Sequence, residues 1–382
     1  MNIGVLTSSL DVGIAGGVAN VVINLTNALA FKNTNINIYS TSNFSKNIHG
    51  VVNEAIKIHL FDAFDPFKYG YSPSLKKAIL NSSSDLIHSH GIWEYTSLIC
   101  NEFLKKRQKP FIVSSHGMLE PWALNNSHIK KKFFYHLMDK KYLSNASAIQ
   151  VLNNNEADSL TKLGIRTPVH IIPNGVDITS EKFSYPQKWI EYFGERKKIL
   201  LYLGRLHPKK SIQELILAFS EIHKNRRSEI GDWRLVLNGW GKDNYVNNIK
   251  TLIKTENLDN YIFFGGPVFN SEKLKVLQNA DAFILPSKSE GYSIAVLEAW
   301  ANKLPVFITE ECNMNFGFEK NAAIKIHYNL EKLKNELIAL FNFSSVHLKE
   351  IGNNGYTLVK NEYNWEKISD KYIELYKSIL DK

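Results

Sequence analysis

Apolar and polar positions along the chain alternate between short β-type runs and longer stretches of helical character. The runs at 3–6, 36–39, 56–60, 86–89, 111–114, 148–152 and 169–172 read as strands, and amphipathic segments such as 18–31 and 129–143 lie between them. Strands separated by helices imply βαβ units and a mostly parallel sheet. The pattern then restarts. Strands are predicted at 199–203, 234–237, 261–264, 282–285 and 306–308, spaced by helical stretches at 212–223, 245–254, 272–278 and 294–302. Two such series in succession predict an α/β protein with two doubly wound, Rossmann-like domains.

Turn chemistry at Pro173-Asn174-Gly175-Val176-Asp177 closes the first series, and a polar and aromatic stretch over 178–198 precedes the second, which places a linker near 175–198. The expected domains are 1–180 and 181–364, with a terminal helical segment at 365–382. In open parallel sheets, ligands sit outside the carboxyl ends of the strands. With two such domains, the cleft between them is the expected site, with hinge closure over it.

Composition sharpens this picture only at a few points. Over 382 residues, 44% are hydrophobic and 22% charged, an ordinary balance for a globular chain. Cys100 and Cys312 stand far apart, form no disulfide framework and fit a reducing compartment. The first residues lack the basic start of a secretory leader, and no apolar run approaches the ~20 residues needed to span a bilayer. The expectation is a cytoplasmic protein, soluble or peripheral on the inner face of the membrane. A net charge of +9 favours anionic partners: nucleotides, phospholipids or lipid diphosphates. Nucleic acid is not expected, because no recognition helix, zinc finger or stacking platform accompanies the charge.

Four segments carry candidate chemistry. Gly16 and Gly17 follow the first strand and open the first helix, where a close backbone and free N–H groups suit a phosphate; the alternative is a plain tight turn. The segment does not match G-x-G-x-x-G, so hydride-transfer cofactors are poorly supported. Gly204-Arg205-Leu206-His207-Pro208-Lys209-Lys210 follows the first strand of the second series. There the planar fork of Arg205 and the point charge of Lys210 could clamp a diphosphate, against the alternative of a solvated basic loop. In the segment from Ser289 to Glu298, Ser293 can cap a helix, with Glu290 on the preceding loop and Glu298 in the second turn. Two carboxylates can accept hydrogen bonds from sugar hydroxyls, one for a hexose and one for a ribose, while the amides of Tyr292 and Ser293 face a phosphate. His116, in Ser114-Ser115-His116-Gly117-Met118, closes a strand of the first series and could hold a sugar hydroxyl; a packing role is the alternative. His88 and His90 are comparable, and nothing at metal-ligand spacing makes these histidines a metal site.

Basic residues cluster at Lys105-Lys106-Arg107 and at Lys130-Lys131-Lys132 with Lys140 and Lys141, interleaved with Phe133, Phe134 and Tyr135. Such a pattern docks on anionic lipid headgroups or else is a solvated helix face over a buried aromatic stripe.

Taken in order, these segments resemble glycosyltransferase family 4, a retaining family with the GT-B fold, two Rossmann-like domains facing each other across a cleft. The resemblance rests on Gly16-Gly17, His116-Gly117, the 173–177 turn, Arg205 with Lys210, and Glu290 with Glu298. It implies that Gly16, Gly17 and Gly204 line the donor diphosphate, that His116 and Glu290 contact the transferred sugar, and that Arg205 and Lys210 neutralise the diphosphate. Glu298 would take the ribose, Gly291, Tyr292 and Ser293 would complete the donor site, Val268 would contact the base, and the helix from Trp365 would return to the first domain. No cofactor or metal is implied; the substrates would be a UDP- or GDP-sugar and a glycan or polyprenyl-diphosphate-linked acceptor. The segment His116-Gly117-Met118-Leu119-Glu120-Pro121-Trp122-Ala123-Leu124 looks like enzymes of bacterial O-antigen, capsule, exopolysaccharide and lipopolysaccharide assembly. The chain departs from the family at Ser211, where glycine often follows the basic pair, and at Ser293, which replaces the second glycine of E-G-F-G. The rival readings are a nucleotide-sugar epimerase on the same architecture and a nucleic-acid-modifying transferase.

Overall fold

A computed structural model describes residues 1–11, 17–41, 52–64, 69–119 and 139–381. The chain divides into two compact units, one of Met1–Gly175 with Trp365–Lys382 and one of Val176–Asn364. Each is built on an all-parallel sheet of the Rossmann type, which is the architecture of GT-B proteins.

In the first unit, strands β1 (Asn2–Thr7), β2 (Asn35–Thr41), β3 (Lys57–Phe61), β4 (Leu86–His90), β5 (Phe111–Ser114), β6 (Ala148–Val151) and β7 (Val169–Ile171) form a sheet in the order β3-β2-β1-β4-β5-β6-β7. The inner strands are nearly continuous apolar runs because helices cover both faces of a parallel sheet. Ile3, Val5 and Leu6 of β1 are fully buried, with Ile3 set beside Ile36 on one side and Leu86 on the other. The strand order reverses between β1 and β4.

The second unit repeats the plan with β8 (Lys198–Leu203), β9 (Trp233–Asn238), β10 (Ile262–Gly266), β11 (Ala282–Leu285), β12 (Val306–Ile308) and β13 (Ala323–Lys325), ordered β10-β9-β8-β11-β12-β13. Here the order reverses between β8 and β11. Its core includes Leu200, Tyr202, Phe219, Phe283, Trp300 and Phe307.

The structure departs from the sequence reading in two places. The stretch over 178–198 is not bare connecting chain: it carries the helix Gln187–Phe193, whose Trp189 is buried in the second core. Phe183 N and Gln278 Oε1 join it to that unit at 3.0 Å. Strand β13 went unpredicted because three residues with one lysine give too short a period to read. Of the helix expected at 129–143, only Lys140–Asn145 falls within the described residues.

The helix Trp365–Leu380 belongs to the first unit, where it packs on the helix Gly17–Ala30 and Lys32 meets Asp370 at 2.5 Å. At its start, a Cβ on Gly175 would stand 2.6 Å from the Trp365 ring. Glycine in the 173–177 turn therefore answers to close packing.

Candidate active site

A parallel sheet opens a crevice beyond the carboxyl ends of the two strands where its order reverses, because the following connections run off to opposite sides. In the second unit those strands are β8 and β11. The loop after β8 holds Gly204, Arg205 and Lys210; the loop after β11 holds Glu290.

These loops are joined by a buried ion pair, with Lys210 Nζ in direct contact with Glu290 Oε1. Ser287 Oγ donates to the same oxygen at 2.6 Å. Glu290 is further fixed through its backbone: its N–H donates to the Glu311 carbonyl at 2.9 Å, and its carbonyl accepts from Asn313 Nδ2 at 2.6 Å. Lys288 N and Ser287 Oγ both donate to the Lys209 carbonyl, tying one loop to the other. Burial pushes the Glu290 carboxyl up, but Lys210, Lys209 and the hydrogen bonds outweigh it and hold the group below its ordinary range. The Glu290 carboxylate is therefore kept ionised in a place where charge is costly unless paired.

The field around them is strongly positive. His207 is held below its usual range by burial and then by Arg205, Lys209, Lys210 and Lys242. Arg205 itself is exposed, and its carbonyl accepts a hydrogen bond from Tyr202 at 2.9 Å. The 204–206 segment is laced to the loop after β9, with Gly204 N donating to Asn238 O at 3.0 Å and Leu206 N to Trp240 O at 2.6 Å.

Glu298 lies on the helix Ile294–Ala301 and pairs with Lys273 at 2.5 Å. Lys273 comes from the helix Asn270–Asn279, which follows the half-buried Val268. Asp177, the last residue of the 173–177 turn, joins this group: burial and then Glu298 raise its pKa, against Lys273. Ser293 stands at the helix N-cap with φ −89° and ψ 101°, but contrary to the sequence reading its hydroxyl makes no capping bond. The side chain thus does not consume the first-turn amides next to Gly291 and Tyr292. Tyr292 stacks on Phe316 at 6.5 Å, and Phe316 on Tyr363 at 4.9 Å.

In the first unit, Gly17 is the exposed first residue of its helix, and Gly16 lies outside the described residues. His116 follows β5 with φ 52°, a left-handed conformation in which histidine is unusual but tolerated. Buried Glu156 holds this turn: Ser115 Oγ donates to its Oε1 at 2.7 Å, Leu119 N to the same oxygen at 3.4 Å and Leu152 N to Oε2 at 3.0 Å. The His116 ring contacts His90, with Nε2 2.8 Å from His90 Nδ1. Next to it, His88 bridges Ser114 Oγ and Tyr376 OH, each at 2.7 Å. The histidines read singly from the sequence form one row, with His88 and His90 fully buried and His116 half-buried.

Profiles of two protein families match the chain, one described as "Glycosyltransferase Family 4" over residues 15–180 and one as "Glycosyl transferases group 1" over residues 186–358. The chain is a glycosyltransferase. The enzyme is 27% identical to a GDP-mannose:cellobiosyl-diphosphopolyprenol alpha-mannosyltransferase of Xanthomonas campestris, over 63% of this chain and 59% of that protein. It is 24% identical to the mannosyltransferase of the same name from Xanthomonas oryzae pv. oryzae, over 82% of this chain and 78% of the relative. Among solved structures, Anabaena Alr3699/HepE in complex with UDP superposes with a TM-score of 0.77 at 18% identity, covering 99% of this chain and all of that one.

Within the enzyme, the structure brings Lys210 and Glu290 together, keeps Arg205 near enough to act with Lys210 on His207, and pairs Glu298 apart from them with Lys273. Sequence reasoning missed Ser287, Asn313, Lys273 and Glu156, polar residues of common types with no pattern of their own, and it read Asp177 only as part of a turn. It also missed Gly239 and Gly241, for which a G-x-G directly after a strand was the available signal. A Cβ on Gly239 would stand 1.9 Å from the Gly204 carbonyl oxygen. Of the basic segments, Lys105, Lys106 and Arg107 are exposed at the end of the helix Thr96–Arg107, and Lys140 and Lys141 are exposed as well. Lys130, Lys131 and Lys132 lie outside the described residues. Among the described residues, no helix is long and apolar enough to cross a membrane.

Proposed function

We propose that the enzyme moves a sugar, with retention of configuration, from a nucleoside-diphosphate sugar to a glycan or polyprenyl-diphosphate-linked acceptor. The product would belong to a bacterial surface polysaccharide, assembled at the inner face of the cytoplasmic membrane. The observation that carries this reading is the Lys210–Glu290 contact at the β8/β11 reversal, inside a loop whose cations also bear on His207.

A lysine ammonium has three N–H donors, so Lys210 can keep Glu290 and still donate to a diphosphate oxygen. Glu290 Oε1 is occupied by Lys210 and Ser287, which leaves its other oxygen to accept from a hydroxyl of the transferred sugar. Arg205, exposed and always charged, would take the outer phosphate. In the reaction, the acceptor oxygen forms its bond to the anomeric carbon as the bond to the diphosphate breaks. The leaving diphosphate takes the acceptor proton through one of its own oxygens. Charge builds on that diphosphate in the transition state, so cations already fixed around it lower the barrier. Glu298 would accept from the ribose and Val268 would bound the base.

The acceptor class is supported by the two Xanthomonas relatives, whose names specify a diphosphopolyprenol-linked acceptor and GDP-mannose as donor. The UDP complex of the structural neighbour supports a nucleotide at this fold. The reading is tested by thermal shift with GDP-mannose, UDP-glucose and UDP-galactose, followed by transfer onto synthetic diphosphopolyprenyl saccharides. One sugar nucleotide should raise the melting temperature, and its sugar should appear on the lipid-linked acceptor with unchanged anomeric configuration. Conversion of the sugar nucleotide with no acceptor present would replace this reading with an epimerase.

A further inference from the structure

His90 is fully buried and uses only one of its two ring nitrogens among the described residues. Its Nδ1 lies 2.8 Å from His116 Nε2, while its Nε2 is buried with no hydrogen-bond partner. The two rings are stacked, with centroids 5.0 Å apart and planes 22° apart. Burial holds both rings neutral at ordinary pH, with His116 pushed down to about 4 and His90 held well below its ordinary range.

A bond between two neutral imidazoles needs one N–H and one lone pair, so only two arrangements exist. If His116 donated, His90 would carry its proton on Nε2, leaving a buried N–H with no acceptor. If His90 donates, only a lone pair on Nε2 goes unmatched. A buried unpaired donor is the rarer and costlier fault, so the second arrangement is favoured. His116 then accepts at Nε2 and carries its own proton on Nδ1. This nitrogen is the one left to meet a ligand.

We propose that His90 is a positioning residue that fixes His116 as the Nδ1–H tautomer, so that His116 presents a hydrogen-bond donor to a substrate hydroxyl or oxygen. The inference rests on the reading above, in which His116 contacts the transferred sugar. His88 backs the arrangement. Its ring lies 4.1 Å from that of His90 and is itself pinned at both nitrogens by Ser114 and Tyr376, so the His90 ring cannot easily turn away. Glu156 fixes the backbone of the same turn, leaving the ring tautomer as the property that His90 alone controls.

Two measurements test the proposal. In the full-length wild-type protein, two-bond ¹⁵N–¹H correlation of histidines reads each tautomer directly, and His116 should show a protonated Nδ1 and a bare Nε2. Kinetics then use H90N, whose amide nitrogen occupies the place of imidazole Nδ1 and can still donate, beside H90L, which cannot. With GDP-mannose or whichever tested sugar nucleotide supports transfer, H90L should lose roughly 10- to 100-fold in kcat/KM, the range seen when an orienting partner is removed, and H90N should recover most of it. A protonated Nε2 on wild-type His116 overturns the proposal. So does wild-type kcat/KM in H90L when H116A is inactive. Full turnover in H116A would instead remove the parent role of His116, and the tautomer measurement would then decide by itself whether His90 sets the proton.

Discussion

Lys210 and Glu290 stand 80 residues apart in sequence and meet at one buried carboxylate oxygen, which Ser287 also serves. Neither charge has an easy way out, since the two side chains are only 11% and 9% exposed. Removing one partner leaves the other charged and buried, which typically costs about 3–5 kcal/mol.

The first prediction separates that structural cost from catalysis. K210A should lose both turnover and stability of the second unit. K210A/E290Q should regain much of the stability, because no buried charge is left alone, yet remain inactive. Urea denaturation followed beside a transfer assay reads both. Turnover returning together with stability in the double variant would mean that Lys210 serves the fold and not the diphosphate.

A second prediction concerns acid. His88 is pushed down to about 3 by burial and then by His116, and His116 to about 4 by burial. Unfolding releases these rings to ordinary values near 6.5, so between that pH and about 4 the unfolded chain binds more protons than the folded one. Stability of the first unit is therefore complete above about pH 6.5 and declines as pH falls, by up to ~1.4 kcal/mol per pH unit for each ring. Glu290 titrates elsewhere: its lowered pKa contributes stability above the ordinary carboxylate range that is lost only as pH falls below it. Melting temperature against pH should show an early decline that H88Q reduces, followed by a later one that E290Q reduces. A flat profile between pH 6.5 and 4 would show that the histidine row is hydrated and titrates normally.

How much of this was legible in the sequence follows from how local each signal is. Apolar runs such as Ile199-Leu200-Leu201-Tyr202-Leu203 need no partner to declare a buried strand, and all twelve expected strands have a counterpart in the two sheets. Glu290 and Lys210 could each be singled out by type and position at a strand end. Their contact could not, because it depends on β8 and β11 being neighbours, a fact of topology. Glu156 carries no signal at all. It is a glutamate in the first turn of a short helix, and its role exists only because the 115–119 turn comes within reach of its carboxylate. Ser211 shows the opposite case: the departure from glycine was visible, but its consequence was conformational and waited for the backbone.

A third prediction follows from Gly239. Its backbone is not in the left-handed region, so any residue could adopt its conformation; the constraint is the neighbour. A methyl group there would overlap the Gly204 carbonyl oxygen, and backbone cannot yield as a side-chain tip can. G239A should push the 204–206 segment off its hydrogen bonds to the loop after β9 and destabilise the second unit by about 3 kcal/mol, at the upper end for overpacking. Denaturant midpoints check this, with the first unit as an internal control. A G239A protein as stable as the wild type would show that the two loops are not packed as described.

The last prediction concerns Ser211, which takes φ 52° and ψ 37° between Lys210 and the helix Ile212–Asn225. A side chain in this left-handed region costs about 1–2 kcal/mol, and the Ser211 hydroxyl is also buried without a hydrogen-bond partner. Glycine removes both penalties, against a loss of about 0.5–1 kcal/mol from its freer unfolded chain. S211G should therefore stabilise the second unit by about 1 kcal/mol, raising its melting temperature by ~2–4 °C. S211A discriminates between the two penalties, since it discards the stranded hydroxyl but keeps the Cβ in the left-handed backbone. Stability should rise in the order serine, alanine, glycine. If S211G melts lower than the wild type, the hydroxyl must hold a bond that outweighs the strain, and the serine is then an adaptation of the Lys210 loop and not a tolerated fault.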